Sequence, residues 1–582
     1  MSIEVWAPRV GRVRLRRPGH DDIDLTAGAD GWWHASVALT TGDEYGFVLG
    51  EGDRVLPDPR SRRQPHGVHG LSAVDDPAAF AWTDGDWTGR QLAGGIVYEL
   101  HIGTFTPEGT LDAAIARFPH LRDLGVTHVE LLPVNGFNGT HNWGYDGVLW
   151  YTVHEAYGGP EAYRRFVDAA HSTGLAVIQD VVYNHLGPSG NYLPEYGPYQ
   201  REARATTWGA SLDLDEPAVR DYIRDNARMW LSDFHVDGLR LDAVHALHES
   251  GEQPVHILRQ LAEDADALSA HLGRPLEIIA ESDLNDPVMI LPREAGGHGL
   301  AAQWVDDWHH AVHVAVTGET DGYYADFAAL DAVPKTWTGG FFHDGTLSTF
   351  RGRDHGIPIP PESPSWRLVT FAQDHDQIGN RAAGDRLSAT LSPARLAVTA
   401  VLTLTAPGTP MLFMGEEWGA STPWQFFTSH PEPELAAATA AGRRREFADM
   451  GWDESVVPDP NNPATFLRSK LDWAELDAPP HAALLDLYRR LARLRRARPE
   501  LTDPRVESRG ATAAEAIGGR VYELERGAAR VLVNLSAAPW HVPLRAGEAV
   551  WLATEAPKTV APGTLVIAPD TAVIAGPEDA AA

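Results

Sequence analysis

Eight apolar runs alternate with amphipathic segments through the middle of the chain, and this order restricts the possible folds more than any other feature. Each run has the length of a buried strand, and the intervening segments have the apolar spacing of helices. The runs cover residues 96–105, 126–134, 175–182, 237–244, 276–282, 300–307, 366–376 and 410–418. The alternation predicts a parallel sheet of the α/β class, closed as a (β/α)8 TIM barrel. A doubly wound open sheet is the alternative on pattern alone.

Two of the intervening segments carry recognisable helix ends. Asp215 stands where it can cap a helix whose first turn holds Pro217, and Ser392 precedes Pro393 in the same way. Side-chain oxygens at such positions accept hydrogen bonds from the unpaired amides of the first turn, where proline is also tolerated. We expect the second of these helices to end before Pro407.

The two ends of the chain have a different pattern from the middle. They contain short alternating segments separated by turns rich in glycine, proline and aspartate, which is typical of β-sandwiches. We therefore predict an N-terminal immunoglobulin-like β-sandwich over residues 1–90, similar to carbohydrate-binding modules, and a C-terminal β-sandwich over residues 500–582. The barrel domain would occupy residues 91–499.

The charge of the chain limits its partners. The formal net charge is −32, which disfavours nucleic acid and anionic membrane surfaces and favours a neutral, polar substrate. The absence of cysteine excludes disulfides and thiolate metal sites. The first residues lack the apolar core of a signal peptide, and no apolar run is long enough to span a bilayer. These features predict a cytoplasmic protein.

Acidic residues gather at the ends of the apolar runs. Asp180 lies near the end of the third run, Asp242 near the end of the fourth, Glu281 at the end of the fifth, and Asp374 and Asp376 at the end of the seventh. Active sites of TIM barrels are built at the carboxyl ends of the strands. One such acid alone would most simply be structural. Their convergence on one rim predicts a catalytic site.

Arg240 and Asp242 interrupt an apolar strand, and burial of charges is costly unless they are paired or used. Side chains alternate along a strand, so both should face the barrel axis, where Arg240 would keep Asp242 ionised. A purely structural ion pair is the alternative. Glu281 follows an apolar run, so desolvation should raise its pKa and keep it protonated. One carboxylate beside one carboxylic acid is what glycosidic bond cleavage requires.

Four short segments carry a specific resemblance. DVVYNH (180–185), GLRLDAVHA (238–246), EIIAES (277–282) and AQDHDQIGN (372–380) resemble, in order and on the expected strands, the four short characteristic regions of glycoside hydrolase family 13, the α-amylase superfamily. Because β domains usually flank the barrel in this group, the resemblance covers the whole chain. It implies a retaining glycoside hydrolase that needs no cofactor and no metal.

The resemblance also implies roles for individual residues. Asp242 would be the nucleophile, Glu281 the general acid/base, and Asp376 the third carboxylate, which holds hydroxyls of the distorted sugar ring. The residues implied to orient the nucleophile or bind the sugar being cleaved are Arg240, His185, His375 and Tyr145. Tyr145 would stack on the sugar, although simple packing of its ring is an alternative. The family usually has asparagine where this chain has Asp374, so we expect Asp374 to act in support of Asp376.

Three further segments narrow the resemblance within the superfamily. Residues 298–313, 376–388 and 413–430 are similar to those of its trehalose-releasing hydrolases. The implied reaction is hydrolysis of the α-1,4-glucosidic bond next to the terminal trehalose of malto-oligosyltrehalose, in a pathway with a maltooligosyltrehalose synthase. The alternatives are a glucan branching or debranching enzyme and a non-catalytic glucan-binding protein. The complete set of three acids argues against the last.

The leaving trehalose must be recognised by loops after the sixth and eighth strands. We predict that its contacts are Asp307, Trp308, Glu417, Trp424 and Phe426. The alternatives are that this rim only packs the barrel and that Glu417 pairs with an arginine. Trp208 is a weaker candidate for stacking on the substrate. The cluster of acids and histidines at 306–313 lacks the His-Glu-x-x-His pattern, so we predict no metal there.

Overall fold

The structure, a computed structural model, describes residues 2–206, 209–251, 253–449, 456–561 and 563–578. These ranges form one closed barrel, two sheets before it in the sequence, two sheets after it, and two short hairpins. Trp208 lies outside the described residues.

The eight barrel strands are parallel and follow the order of the sequence around the barrel. This confirms the closed (β/α)8 prediction against the open sheet. In chain order the strands are Val97–Leu100, His128–Leu131, Ala176–Val181, Gly238–Leu241, Glu277–Ala280, Ala302–Trp304, Leu368–Phe371 and Thr409–Phe413. All eight fall on the predicted runs, with the eighth beginning one residue early.

Helices fill the connections between the strands, except after the fifth strand, where the described chain has only short 3-10 turns. Up to the fifth strand the α-helices are Ile102–Phe105, Leu111–Ile115, Phe118–Leu124, Gly159–Thr173, Leu193–Tyr196, Pro217–Arg228 and Ile257–Leu272. After the sixth strand they are Asp306–Thr317, Ala332–Gly339, His375–Gly379, Leu387–Thr390, Pro393–Thr405, Pro433–Asp449, Pro463–Arg468 and His481–Ala497.

The lumen of the barrel is apolar in its middle and charged above. Val97, Ile178, Ile279 and Met411, from four different strands, pack against one another in one buried cluster, which places them inside the barrel. Side chains two residues further along a strand face the same way. Glu99 and Asp180 therefore also face the lumen, and Arg240 does so because it pairs in register with Ile279. These charged residues lie directly beneath the rim where the predicted acids lie.

Two sheets flank the barrel on each side in sequence, as expected for β-rich end regions. The N-terminal sheets contain Ser2–Trp6, Thr26–Ala27 and Trp32–Ser36 in one, and Val13–Arg16, Ile23–Asp24, Glu44–Leu49, Val55–Leu56 and Ser72–Ala73 in the other. The C-terminal sheets contain Arg509–Ala516, Gly519–Arg526, Ala529–Asn534, Glu548–Ala553 and Thr571–Pro577 in one, and Trp540–Pro543, Lys558–Ala561 and Thr564–Ile567 in the other. The hairpins pair Gln200–Thr206 with Gly209–Leu212, and Thr346–Ser348 with Arg353–His355.

The N-terminal region is held against the barrel by arginine–carboxylate pairs. Arg164, on the helix Gly159–Thr173, pairs with Asp75, and both side chains are at least 95% buried. At the edge of the same contact, Arg62 lies 2.6 Å from Asp233. Because a buried charge without its partner is strongly destabilising, these contacts fix the region on the barrel.

Among the described helices, none is long and apolar enough to cross a membrane.

Candidate active site

Arg240 forms the floor of the site. Its side chain is completely buried, and its Nη1 donates to Asp180 Oδ2 and to Asp242 Oδ1, each at 2.9 Å. Its Nη2 lies 3.2 Å from Glu281 Oε2, and its guanidinium lies 4.4 Å from the centre of the Trp304 ring. One cation thus contacts three of the predicted acids. It was predicted to face the lumen, and the structure confirms that placement.

Asp242 and Glu281 lie side by side above this guanidinium. Their side chains are 12% and 19% exposed, so both can be reached from the cleft while Arg240 cannot. The residue between their strands, Ala243, has a left-handed backbone with φ of 42°, and its amide donates to Glu281 Oε2 at 2.6 Å. Left-handed alanine is strained. The strained turn therefore links the positions of the two acids.

The environments of these two acids differ. Asn184 Nδ2 donates to Asp242 Oδ2 at 2.7 Å, and with Arg240 it supplies donors that favour a carboxylate. Burial, assisted by the charges of Asp242 and Asp376, raises the pKa of Glu281 above its ordinary value, although Arg240 and the Ala243 amide oppose this. The shift has the direction expected from the sequence. The pair can therefore supply one nucleophile and one proton donor.

The third acid lies across the cleft on the short helix His375–Gly379. The Asp376 side chain is 41% exposed, and its Oδ2 lies 3.5 Å from His375 Nε2. His375 is buried and its Nδ1 lies 2.5 Å from Glu99 Oε1. Burial alone would lower the pKa of His375, but Asp376, Glu99 and Asp374 raise it to about 10. A protonated imidazole can donate from both ring nitrogens.

Asp374 has a different place from Asp376. It is almost fully buried, and it caps the helix His375–Gly379 by accepting a hydrogen bond from the Gln377 amide at 2.6 Å. Such a cap holds the first turn of the helix, where Asp376 lies. The expectation that Asp374 supports Asp376 therefore has a structural basis in this turn.

Tyr145 and His185 line the remaining wall of the site. The Tyr145 ring is parallel to that of His375 at a centroid distance of 5.1 Å, and its hydroxyl donates to Asp180 Oδ2 at 2.7 Å. His185 is buried, and its Nε2 lies 3.0 Å from the carbonyl oxygen of Tyr145. Burial lowers the pKa of His185. The structure thus places Tyr145 and His185 beside the acids that the sequence predicts to be catalytic.

A cavity of about 260 Å³ continues from Asp376 between the loops after the fifth, sixth and seventh strands. Of the five residues predicted to contact the leaving sugars, only Asp307 lines this cavity. Its Oδ2 accepts hydrogen bonds from the Phe342 amide at 2.8 Å and the His343 amide at 2.9 Å. Burial raises the pKa of Asp307 to about 6. Asp307 therefore also anchors the long insertion that forms the outer wall.

Glu417 is not placed as predicted. It belongs to the 3-10 helix Glu416–Trp418, is completely buried, and accepts hydrogen bonds from Tyr98 Oη at 3.1 Å and from His120 Nε2 at 2.7 Å. Those partners lie between the barrel and its helices, so the carboxylate cannot touch a sugar in the cleft. Glu417 therefore packs within the barrel wall, as the alternative interpretation stated. Its partners are a tyrosine and a histidine rather than an arginine.

The predicted aromatic contacts are also misplaced. Trp308 is 1% exposed and packs against Trp337, because it faces the core from the helix Asp306–Thr317. Trp424 is fully buried, stacks on Trp143 and donates to the carbonyl of His375 at 2.9 Å. Phe426 packs on the edge of Trp143. These three residues pack beneath the surface of the site and do not line the cavity beside the acids.

Other residues, which sequence reasoning did not select for this role, form that cavity. Asp306 lies beside Glu281 and Asp376, and burial together with these charges raises the pKa of Asp306 to about 8. Tyr323 and Phe350 supply aromatic rings 6.0 Å apart. Both come from the connection between the sixth and seventh strands, which has no regular hydrophobic period. Its unusual length was the available signal, since long loops in compact domains are often functional.

The cluster at residues 306–313 contains three histidines, His309, His310 and His313. His309 and His310 are neutral in this environment, because burial lowers the pKa of each far below its ordinary value. Among the residues that the structure describes, no three histidine or acidic side chains are grouped to hold a metal ion.

Comparison with known proteins agrees with this geometry. The family described as the α-amylase catalytic domain matches residues 76–208. The malto-oligosyltrehalose trehalohydrolase of Rhizobium sp. (strain M-11) is 58% identical over 569 residues, which are 95% of this chain and 94% of that protein. The enzyme of the same name from Brevibacterium helvolum is 53% identical over 98% of both chains.

The fold of this chain also agrees with a solved structure. A solved structure from Salmonella typhimurium, 38% identical in sequence, superposes with a TM-score of 0.89 and covers 99% of this chain and 97% of that one. Because relatives with more than half of their residues identical match almost the whole length, the chain belongs to the malto-oligosyltrehalose trehalohydrolase family of the α-amylase superfamily.

Proposed function

We propose that this protein hydrolyses the α-1,4-glucosidic bond next to the terminal trehalose of malto-oligosyltrehalose and releases trehalose with retention of anomeric configuration. The observation that carries the proposal is the contact of Asp242 and Glu281 with the two terminal nitrogens of the one Arg240 guanidinium. Contact with neighbouring nitrogens of one guanidinium favours the short carboxyl–carboxyl separation of retaining enzymes, about 5–5.5 Å, over the roughly 6.5–9.5 Å of inverting ones, and so favours a covalent intermediate.

In the first step, Glu281 gives its proton to the glycosidic oxygen, and Asp242 forms a bond to the anomeric carbon as the bond to trehalose breaks. The raised pKa of Glu281 supports its role as the acid, because a proton donor must hold its proton until this step. Asp376 and His375, on the opposite side of the cleft, bind hydroxyls of the distorted ring, and the negative charge of Asp376 stabilises its positive charge.

In the second step, Glu281 takes a proton from water, and the oxygen of that water forms a bond to the anomeric carbon as the ester to Asp242 breaks. Two inversions at one carbon give the α anomer. Tyr145 presents a ring beside this carbon, and its hydroxyl is fixed on Asp180, which orients it for contact with the sugar.

The cavity beside Glu281 and Asp376 supports the choice of leaving group. It is about 260 Å³ in volume, which suits a disaccharide that is partly enclosed. Its wall combines the rings of Tyr323 and Phe350 with hydrogen-bonding groups such as Asn380. Rings suit the apolar faces of two pyranoses, and polar side chains select a particular arrangement of hydroxyls.

The proposal also defines the reaction that must precede it. The substrate has an α,α-1,1 linkage at one end of an α-1,4-glucan, so an enzyme that converts the reducing end of a maltooligosaccharide to that linkage must supply it. We propose a maltooligosyltrehalose synthase as this pathway partner.

The test is incubation with maltosyltrehalose beside maltotetraose, with identification of the products. We expect maltose and free trehalose from the first substrate and much slower hydrolysis of the second. NMR of the earliest products should show α-maltose. The β anomer would exclude the double displacement, and new α-1,6 branches without free trehalose would indicate a branching enzyme instead.

A further inference from the structure

A ring of polar side chains lies inside the barrel, one layer below the rim. Glu99 and Glu130 are neighbours in register on the first and second strands, and Asp180 and Arg240 are neighbours in register on the third and fourth. Trp304, on the sixth strand, closes the layer beneath the guanidinium. Every one of these five side chains belongs to a residue that is at most 3% exposed.

Glu130 differs from the other two acids of this layer in its hydrogen bonds. Glu99 is bonded to His375, and Asp180 is bonded to Tyr145 and Arg240. Both carboxyl oxygens of Glu130 are buried, and neither has a hydrogen-bond partner among the described protein residues. An unsatisfied buried carboxyl group is costly, and such groups in native proteins call for a partner.

Unsatisfied donors occur in the same layer. Arg240 Nε has no hydrogen-bond partner among the described residues, and Arg240 Nη2 has only its 3.2 Å ion contact with Glu281. Trp304 Nε1 is likewise without an acceptor in the part of the chain described here. Three donor atoms and two acceptor atoms thus share one enclosed layer. Buried water bridges such groups when each molecule can find two to four partners.

The charge of the layer agrees with a neutral Glu130. Burial, followed by the charge of Glu99, raises the pKa of Glu130 well above its ordinary value, although Arg240 opposes this. A neutral carboxyl group can both donate and accept. Glu130 can therefore take part in a chain of hydrogen bonds without adding another negative charge below the catalytic acids.

We propose that Glu130 is a positioning residue for the proposed hydrolysis, acting through water molecules buried in the barrel that join its carboxyl group to Arg240 and Trp304. The inference rests on the proposed function, because it concerns how Arg240 is held against Asp242 and Glu281. Nη1 of Arg240 is fixed by two carboxylates, but Nε and Nη2 have no hydrogen-bond partner among the residues that the structure describes. The water-bridged Glu130 fixes that edge.

The decisive comparison is between Glu130→Gln and Glu130→Leu. Glutamine keeps the shape and the hydrogen bonds, whereas leucine keeps the volume and removes them. A misplacement of about 1 Å at a catalytic group can cost on the order of 100-fold, so we expect leucine to lower kcat by about 10- to 100-fold with KM little changed. Glutamine should recover most of that loss and stay within about threefold of the native kcat.

The pH profile separates positioning from simple loss of stability. Arg240 lowers the pKa of Glu281, so a displaced guanidinium should let that pKa rise. The alkaline limb of kcat/KM against pH should then move to higher pH in Glu130→Leu and not in Glu130→Gln. Ile178→Val is the matched control, because Ile178 is the register partner of Glu130 on the neighbouring strand. This substitution should lower the melting temperature and leave kcat and the alkaline limb of the pH profile unchanged.

Equal losses from glutamine and leucine, or a leucine variant that loses only stability, would overturn the proposal. A crystal structure at about 1.5 Å gives a test that needs no substrate and no leucine variant: ordered water should lie within hydrogen-bond distance of Arg240 Nε and of Glu130. A dry layer would also overturn it. If the enzyme released no trehalose, the profiles could be measured on maltotetraose, so failure of the proposed function would be seen separately.

Discussion

Glu99 holds His375 by two contacts, with Oε2 accepting from the backbone amide at 3.0 Å and Oε1 lying 2.5 Å from Nδ1. Both side chains are 1% exposed. Because Nδ1 faces a carboxylate, it must carry a hydrogen, and a second hydrogen on Nε2 then requires the protonated ring. The pKa of about 10 for His375 means that this second hydrogen is present at neutral pH and available to a sugar hydroxyl.

The first prediction follows from this pair. Glu99→Gln removes one of the negative charges that raise the pKa of His375, and loss of an opposite charge at this range shifts a pKa by about 1–3 units. We expect the pKa of His375 to fall by at least about one unit, so that the second hydrogen is lost, and kcat/KM falls, at a lower pH than in the native protein. NMR titration of labelled histidine measures the shift, and His375→Gln identifies the signal. A native His375 that titrates near its ordinary value would contradict the prediction.

The second prediction separates the neighbouring aspartates. Asp376→Asn should lower kcat by on the order of 100- to 1,000-fold, because it removes a preorganised charge from the site of the developing cation. Asp374→Asn should be much milder, since the amide oxygen of asparagine can still accept from the Gln377 amide and cap the helix. Steady-state kinetics on maltosyltrehalose measure both. Equal losses would mean that the two roles have been assigned to the wrong residues.

The third prediction concerns selection of the leaving sugar. Phe350 lines the cavity and is 58% exposed, so Phe350→Ala should hardly change stability. It should lower kcat/KM for maltosyltrehalose by about tenfold, the effect expected of a lost stacking contact, and change maltotetraose hydrolysis much less.

Leu347 provides the control for this prediction. It lies on the same hairpin, is 59% exposed and does not line the cavity. Leu347→Ala should therefore leave both rates unchanged. If Phe350→Ala reduced both substrates by one factor, the ring would be a general support of the site and the selecting contact would lie elsewhere.

The fourth prediction concerns the opposite end of the barrel. Buried His171 lies between Asp84, 2.8 Å from Nδ1, and Asp237, 2.9 Å from Nε2. Burial would lower the pKa of His171, but Asp237 and Asp84 raise it. The hydrogen bonds of His171 and His235 lower the pKa of Asp84, although burial opposes them. Removal of the central cation should cost about 2–3 kcal/mol, because each buried acid loses a charged hydrogen-bond donor, although Asp84 keeps His235 and Asp237 keeps Arg274.

The pH dependence of that loss has a defined sign. A histidine whose pKa is raised in the folded state contributes its full stabilisation below its unfolded pKa of about 6.5, and this stabilisation is lost as pH rises through the folded pKa. An aspartate whose pKa is lowered in the folded state contributes its full stabilisation above its unfolded pKa of about 3.9, and this stabilisation is lost as pH falls. The stability difference between the native protein and His171→Ala should therefore be largest between about pH 4 and 6.5. Urea unfolding across pH measures it, and kcat should not change. A difference that grows towards pH 9 would contradict the assignment.

Local signals in the sequence predicted helix ends with mixed success. Ser392 accepts from the Arg395 amide as a cap, and its helix ends at Thr405 as expected. Asp215 was expected to cap the helix that begins at Pro217, but that helix has Glu216 at its cap position with no side-chain hydrogen bond. Asp215 instead accepts from the amide of Ser250. A capping residue type is favourable at a helix end, but tertiary partners can take its side chain elsewhere.

The positions of the predicted catalytic acids were easier to predict from the sequence than the side chains that line the cavity beside them. Asp242 and Glu281 directly follow regular strands, whose alternation of side chains defines the direction of each one. Trp308 and Glu417 follow strand ends by a few residues, in helical turns that point them into the core. Phe350 comes from an irregular insertion, and no period in the sequence indicates that it folds back over the cavity. The sequence indicated which segments lie near the site, but it did not predict the direction in which the side chains of irregular segments point.

The pair of Arg164 with Asp75 has a consequence for how the protein could be divided. Arg164 lies within the barrel's own helical layer, but its counter-ion comes from the N-terminal region. A chain begun at residue 91 would keep the cation and lose the anion, with a penalty of about 3–5 kcal/mol before any exposed apolar surface is considered. The N-terminal sheets are thus not an appendage that evolution or an engineer could exchange freely. They complete the folding unit of the enzyme, and any transplanted substitute would have to bring a carboxylate to the same place.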